Sequence, residues 1–201
     1  MSTTMDFTSW QMEDVFVTPK GAKICRVSNK DGDECLWTPG AAMAAPFGPS
    51  SFDKDPNARR QSLDFVLADP VVREQASALD AWAVEYISTH SERLLKKPMT
   101  MSQVQTAYNS CVREAKDPKF HPKLKCKVDL EGKHALCLWD DQGHPVPYPS
   151  NWRDVELKAV IRVSHLWIMG AAFGLVLQVT DAQLFPKESS GGGPRENPFK
   201  R

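Results

Sequence analysis

The spacing of apolar positions changes twice along the chain, dividing it into strands, then helices, then strands again. The clearest pattern lies in 154–185, DVELKAVIRVSHLWIMGAAFGLVLQVTDAQLF. Val155, Leu157, Ala159, Ile161 and Val163 alternate with Glu156, Lys158, Arg162 and Ser164, with Val160 the exception. An extended segment of this kind has one face in a core and one in water. Beyond Met169 and Gly170, Phe173, Leu175, Leu177 and Val179 alternate with Gly174, Val176, Gln178 and Thr180, predicting a second strand and hence a β-hairpin or β-corner. The apolar run 166–177 invites a membrane-helix reading, but it falls short of the roughly 20 residues a bilayer needs. Its two glycines and β-branched tail also favour strand.

Shorter strands come first. Segments 15–17 and 22–27 flank Thr18-Pro19-Lys20-Gly21, and Asp31-Gly32 is a hairpin signal before 35–39. Segment 39–60, interrupted by Pro39, Pro46, Pro49 and Pro56, reads as a long loop that carries Phe47 and Phe52 and ends in Arg59-Arg60. Strand pattern resumes at 61–67, with Leu63, Phe65 and Leu67 on one face. Asp69-Pro70 then starts a helix whose stripe is Val72, Ala76, Leu79, Ala83 and Tyr86, widened by Trp82 and Ile87 and ending near Leu95. A second helix, capped by Thr100 or Ser102, is expected to carry Val104, Ala107, Tyr108, Cys111 and Val112. Extended segments 135–139 and 144–148 flank the Asp140-Asp141-Gln142-Gly143 turn, where adjacent acids are ordinary turn residues.

These elements predict an α+β, mainly β fold, an OB-like small barrel with a helical insert at 69–115; a split β-sandwich fits the same pattern. The expected layout is an N-terminal tail 1–12, one domain over 13–186 containing the loop 39–60, and a flexible tail 187–201 rich in glycine and charge.

Composition sharpens the functional question. With 201 residues, 41% of them hydrophobic, the chain can bury one core, and its 25 basic and 25 acidic side chains give no bulk attraction to a polyanion. Any nucleic-acid site must come from local charge segregation, and KDPKFHPKLKCKVDL supplies it. Here Lys116, Lys119, Lys123, Lys125 and Lys127 face one carboxylate, Asp117, before Asp129. In a strand Lys123, Lys125 and Lys127 share one side, beside Phe120 and His121. Lysines on an edge strand also guard against aggregation, so the ridge alone has two readings. Lys158 and Arg162 repeat the arrangement later and favour a shared anion-binding face.

Nothing points to catalysis or a cofactor. Cys25, Cys35, Cys111, Cys126 and Cys137 form no CxxC pair, and a zinc set from Cys126, His134, Cys137 and His144 matches no common ligand spacing. The histidines are dispersed, no nucleophile motif is present, and Gly191-Gly192-Gly193 is no phosphate loop. MSTTMDFTSW has no signal-peptide pattern, so an intracellular location is expected, nucleus or cytoplasm, at a viral replication site if the chain is viral.

Four stretches carry a resemblance: TPGAAMAAPFG at 38–48, RRQSLDFVL at 59–67, KFHPKLKCKV at 119–128 and VELKAVIRVSHLWIMGAAFGLVLQV at 155–179. Together they resemble the OB-fold single-stranded DNA-binding proteins of large DNA viruses, which are distantly similar to those of T7-type phages. The resemblance implies a non-enzymatic protein of replication, recombination or repair that holds single-stranded DNA, with RNA, replication-protein partners and oligomerisation left open. Cations would follow phosphates and exposed aromatics would stack on bases. Lys119, Lys123, Lys125, Lys127, Lys158 and Arg162, with Arg59 and Arg60, could supply the first; Phe120, Trp139, Tyr148, Trp152 and Trp167 are candidates for the second. Trp152, in a polar run, is the aromatic most expected to be exposed. Such proteins commonly end in an acidic tail, whereas this tail carries Lys187, Arg195, Lys200 and Arg201 against Glu188 and Glu196. A protein-interaction or scaffold module on the same fold is the alternative reading.

Overall fold

A computed structural model describes residues 6–51, 55 and 58–187. Phe52, which sequence reading placed in the long loop, and segment 188–201, most of the expected flexible tail, lie outside the described residues. The chain opens with β1 (Trp10–Met12), β2 (Phe16–Val17) and β3 (Lys23–Asn29), followed by β4 (Leu36–Trp37), β5 (Met43–Ala44) and β6 (Arg60–Val66). Helices α1 (Pro70–Thr89), α2 (Ser91–Leu95) and α3 (Met101–Ala107) form the middle. Strands β7 (Val112–Arg113), β8 (Lys123–Asp129), β9 (Cys137–Trp139) and β10 (Pro145–Val146) follow, and after a 3-10 turn at Trp152–Asp154 the long pair β11 (Val155–Met169) and β12 (Ala172–Pro186) closes the chain.

The main strand path is β1-β3-β11-β12-β8-β6. The fold is mainly β with a helical middle, as expected, but the ladder does not return on itself, so the sheet is open where a closed OB-like barrel was expected. The reason lies in the proline-broken segment between β4 and β6. Among its described residues it offers β11 only the two-residue strand β5, and β6 only one bridge, Ser50 to Ser62, with N···O distances of 2.9 and 2.8 Å. Proline cannot donate to a ladder, and the described residues of the segment form no longer strand.

Inward positions of β6, β8, β11 and β12 build one buried cluster with the stripe Val72, Ala76, Leu79, Ala83 and Ile87 of α1. Asp69 caps α1, its Oδ1 accepting from the Val71 and Val72 amides at 2.8 and 3.0 Å. Thr100 and Gln103 form a capping box on α3. The exception at Val160 marks a register shift between Val160 and Ile161 in the β11–β12 ladder; a second shift follows between Val163 and His165. Among the described residues no helix is long and apolar enough to cross a membrane.

Two expected boundaries move. Trp10–Met12, placed by sequence reading in an N-terminal tail, pairs with β3. Phe7 and Trp10 pack edge to face at 5.2 Å, and both lie within 5.7 Å of the Trp82 ring on α1. The second helix stops at Ala107 and never carries Cys111 or Val112. Buried Asp80 draws the chain out: its carboxylate accepts from the Tyr108 hydroxyl at 2.6 Å, from the Cys111 amide at 3.1 Å and from the Ser110 hydroxyl. These are charge-assisted bonds that a continued helix could not offer. The expected helical insert 69–115 therefore gives way to β7 at its end.

Candidate nucleic-acid interface

Ladder register fixes which side chains share the outer face of the sheet, because residues paired across strands point the same way. One row runs Ser62, Lys127, Gln178, Arg162 across β6, β8, β12 and β11. The next begins with the pair Asp64 and Lys125 on β6 and β8 and ends with Val176, His165 and Arg26 on β12, β11 and β3. A third holds Lys123 beside Arg113 of β7, and Trp167 beside Gly174. Leu124, Cys126 and Val128 point the other way and are fully buried.

β8 is an interior strand, flanked by β6 on one side and by β12 and β7 on the other. The edge-protection reading of its lysines therefore fails, since an interior strand has no free edge to guard.

Lys125, Lys127 and Arg113 line a groove of about 460 Å³ with Trp167, Ser62 and Ser110. Trp167 lies against the Gly174 backbone: a Cβ there would stand 2.6 Å from the Asn109 carbonyl and 3.1 Å from the indole nitrogen. Lys127 Nζ donates to Ser62 Oγ at 2.8 Å. Burial first, then the charges of Arg60 and Lys125, lower the pKa of Lys127. Burial, then Arg60 and Arg162, hold His165 down to about 4. Two groups on separate strands thus sense excess positive charge, which a bound anion would relieve.

Arg162 is more tightly held. It donates to Glu34 at 2.7 Å, Gln178 at 2.8 Å and Ser164 at 3.2 Å, and Gln178 donates in turn to Asp129 at 2.8 Å. It therefore braces the face more than it offers a free cation. Arg60 stands beside Asp129 at 3.7 Å on the same face, while Arg59 extends its guanidinium over Gly132, where a Cβ would stand 2.7 Å from Nη2. Lys119 and Phe120 sit in the loop before β8, Phe120 being 63% exposed, with Lys119 paired to Asp117 at 2.9 Å. Lys123 lies 4.7 Å from the ring centre of Phe47, itself 66% exposed.

Two candidates stand apart. Lys158 shares the outer face of β11 but lies in a different hollow, with Asp140, Asp141 and Asp181. Trp152, expected to be exposed, is half-buried against the core, its indole seated on Gly48, where φ is +60° and a Cβ would fall 2.6 Å from the ring. Trp139 donates to Asp181 at 3.0 Å, and Tyr148 to the Leu136 carbonyl at 3.2 Å. Arg113 was missed because the helix was extended through it, though the breakers Asn109-Ser110 were a readable stop signal.

Burial raises Cys25 to about 11 and Cys35 to about 12, and pushes Cys111 and Cys126 up as well. These four thiols stay protonated at neutral pH and are poor nucleophiles. Among the described residues no group of three or more His, Cys, Asp or Glu is placed to hold a metal ion.

No protein-family model matches the chain, and no curated protein matches it. Two solved structures show a loose likeness. The single-stranded DNA-binding protein from bacteriophage Enc34 is 7% identical with a TM-score of 0.43, over 93% of this chain and 96% of that one. The structure titled as that protein in complex with ssDNA is 8% identical with a TM-score of 0.41, over 92% and 99%. Likeness at that distance decides neither fold nor function, so the functional reading rests on the residues of the face.

Proposed function

We propose that this protein binds single-stranded DNA inside the cell without catalysing a reaction on it, and serves replication, recombination or repair. One observation carries the reading. Lys123, Lys125 and Lys127 point outward from an interior strand, and the last two line a groove that also contains an indole. Cations that track phosphates beside an aromatic platform are what sequence-tolerant single-strand binding needs, each base stack contributing roughly 1–3 kcal/mol. The groove accounts for lysines that edge protection does not. The Ser50–Ser62 bridge and the β5–β11 pairing support a further reading, in which the sheet is an OB-like barrel with its seam left open.

The test is tryptophan fluorescence titrated with oligo-dT of about thirty nucleotides, with oligo-U and duplex as comparisons. Strong quenching by the single strand, weak response to duplex and an affinity that falls with salt are expected. Absence of quenching and of any mobility shift at low salt would remove the reading and leave the lysine face to an acidic protein partner.

A further inference from the structure

We infer that the binding face continues past Trp167 over β3 and β2, with Phe16 as a second stacking platform and Arg26 as its phosphate contact. The inference rests on the single-stranded DNA reading above. Trp167 pairs with Ile24, and Ile24 pairs with Phe16, so all three side chains stand in one row on the outer face. Two strand spacings separate Phe16 from Trp167, about 10 Å, or the length of roughly three stacked nucleotides.

Phe16 is 59% exposed and takes no part in the core cluster. Its neighbour Val17, 54% exposed, pairs with Lys23 and so faces the other way. Exposure alone would not identify an occupant; the surroundings do. Between Phe16 and the lysine groove lies a second hollow of about 550 Å³, lined by Ile24, Arg26, Lys133, Arg162 and His165. Ser28 also lines it, and Ser28 Oγ and Arg162 Nε are buried there without a hydrogen-bond partner among the described residues. Buried polar groups are normally satisfied, so these two leave unused hydrogen-bonding capacity in the wall of the hollow, beside the cations. Glu34 and Asp33 lie on the same lining, with Glu34 already engaged by Arg162. A phosphate would therefore approach from the side of Arg26 and Lys133. Among the described residues neither of these cations has an ion-pair partner.

Single-stranded DNA is chosen over a protein occupant because this hollow and the lysine groove share β11, whose His165 lines one and Trp167 the other. The deciding experiment compares Phe16→Ala and Arg26→Ala with the unaltered chain by anisotropy, using oligo-dT of about four and about twelve nucleotides. Each substitution is expected to weaken the longer oligonucleotide about fivefold or more and leave the shorter within about twofold. Phe16→Trp in a Trp167→Phe background should be quenched by the longer oligonucleotide only. Unchanged affinity for both lengths, with binding still lost on replacing Lys123, Lys125 and Lys127, overturns the extension and leaves the proposed function standing. A dimer that Phe16→Ala dissolves, with DNA affinity unchanged, also overturns it and makes the patch a self-association surface. Failure of the unaltered chain to bind either length overturns both.

Discussion

Lys158 and Arg162 stand on one face of one strand, about 13 Å apart along it, yet their surroundings differ in sign. The hollow at Lys158 is lined by Asp140, Asp141 and Asp181, brought in by the β9–β10 turn and by β12. The hollows past Arg162 carry Arg26, Lys133, Arg113, Lys125 and Lys127 against Asp33, Glu34 and Asp64, an excess of cations. What a cation does in a sheet is set by the strands that flank it. One end of the hairpin has an excess of acids and the other an excess of cations, so a polyanion meets less repulsion at the second.

Replacing Lys123, Lys125 and Lys127 together by alanine should break the contrast most severely. Affinity for oligo-dT at low salt should fall by about two orders of magnitude, and the slope of log affinity against log salt should flatten by about 2, measured by anisotropy across salt. A slope that does not change would show that the phosphates lie elsewhere.

His165 tests the same half through stability. Its folded pKa of about 4 lies below the ordinary histidine value of 6.5, so protons favour the unfolded chain. The contribution is complete above pH 6.5 and is lost as pH falls from about 6.5 to 4, reaching at most about 3 kcal/mol. Urea melts across that window should show the loss, and His165→Asn should flatten it.

Trp167→Ala should weaken binding by about 1–3 kcal/mol and remove most of the quenching, while Trp152→Phe should leave the quenching intact. If Trp152 carries the signal instead, the groove has been placed on the wrong side of the loop at Gly48. The smallest expected effect is at Lys158: Lys158→Ala should change affinity by less than about twofold, because the nearby acids already repel phosphate. A loss comparable to that of the triple variant would erase the distinction between the two ends.

Features decided within a few residues were legible in the sequence. Alternation over 155–179 gave the long hairpin, Asp69-Pro70 gave the start of α1, and alternation over 123–128 gave the outward lysines. Features decided by pairing were not. That β8 is interior depends on β6 and β12, which lie far from it in sequence on either side, and no local pattern states that order. Trp152 looked exposed because its neighbours are polar, but the side chain is covered by Gly48 from a distant loop. Arg113 escaped because the carboxylate that ends α3 sits on α1, and a helical stripe does not reveal that Asp80 will accept several donors from beyond the next two helices. Ile24, Phe16 and Trp167 fell into one row only once two registers were known.

The pairing of His165 with Arg26 has a consequence for how the protein is made. The face is assembled from the beginning, middle and end of the chain, so its contacts join residues far apart in sequence. Until the last residues of the chain leave the ribosome, β11 and β12 do not exist and the lysines of β8 have only β6 and β7 beside them. A growing chain therefore does not yet present this face, which is completed only when the final hairpin zips in between β3 and β8.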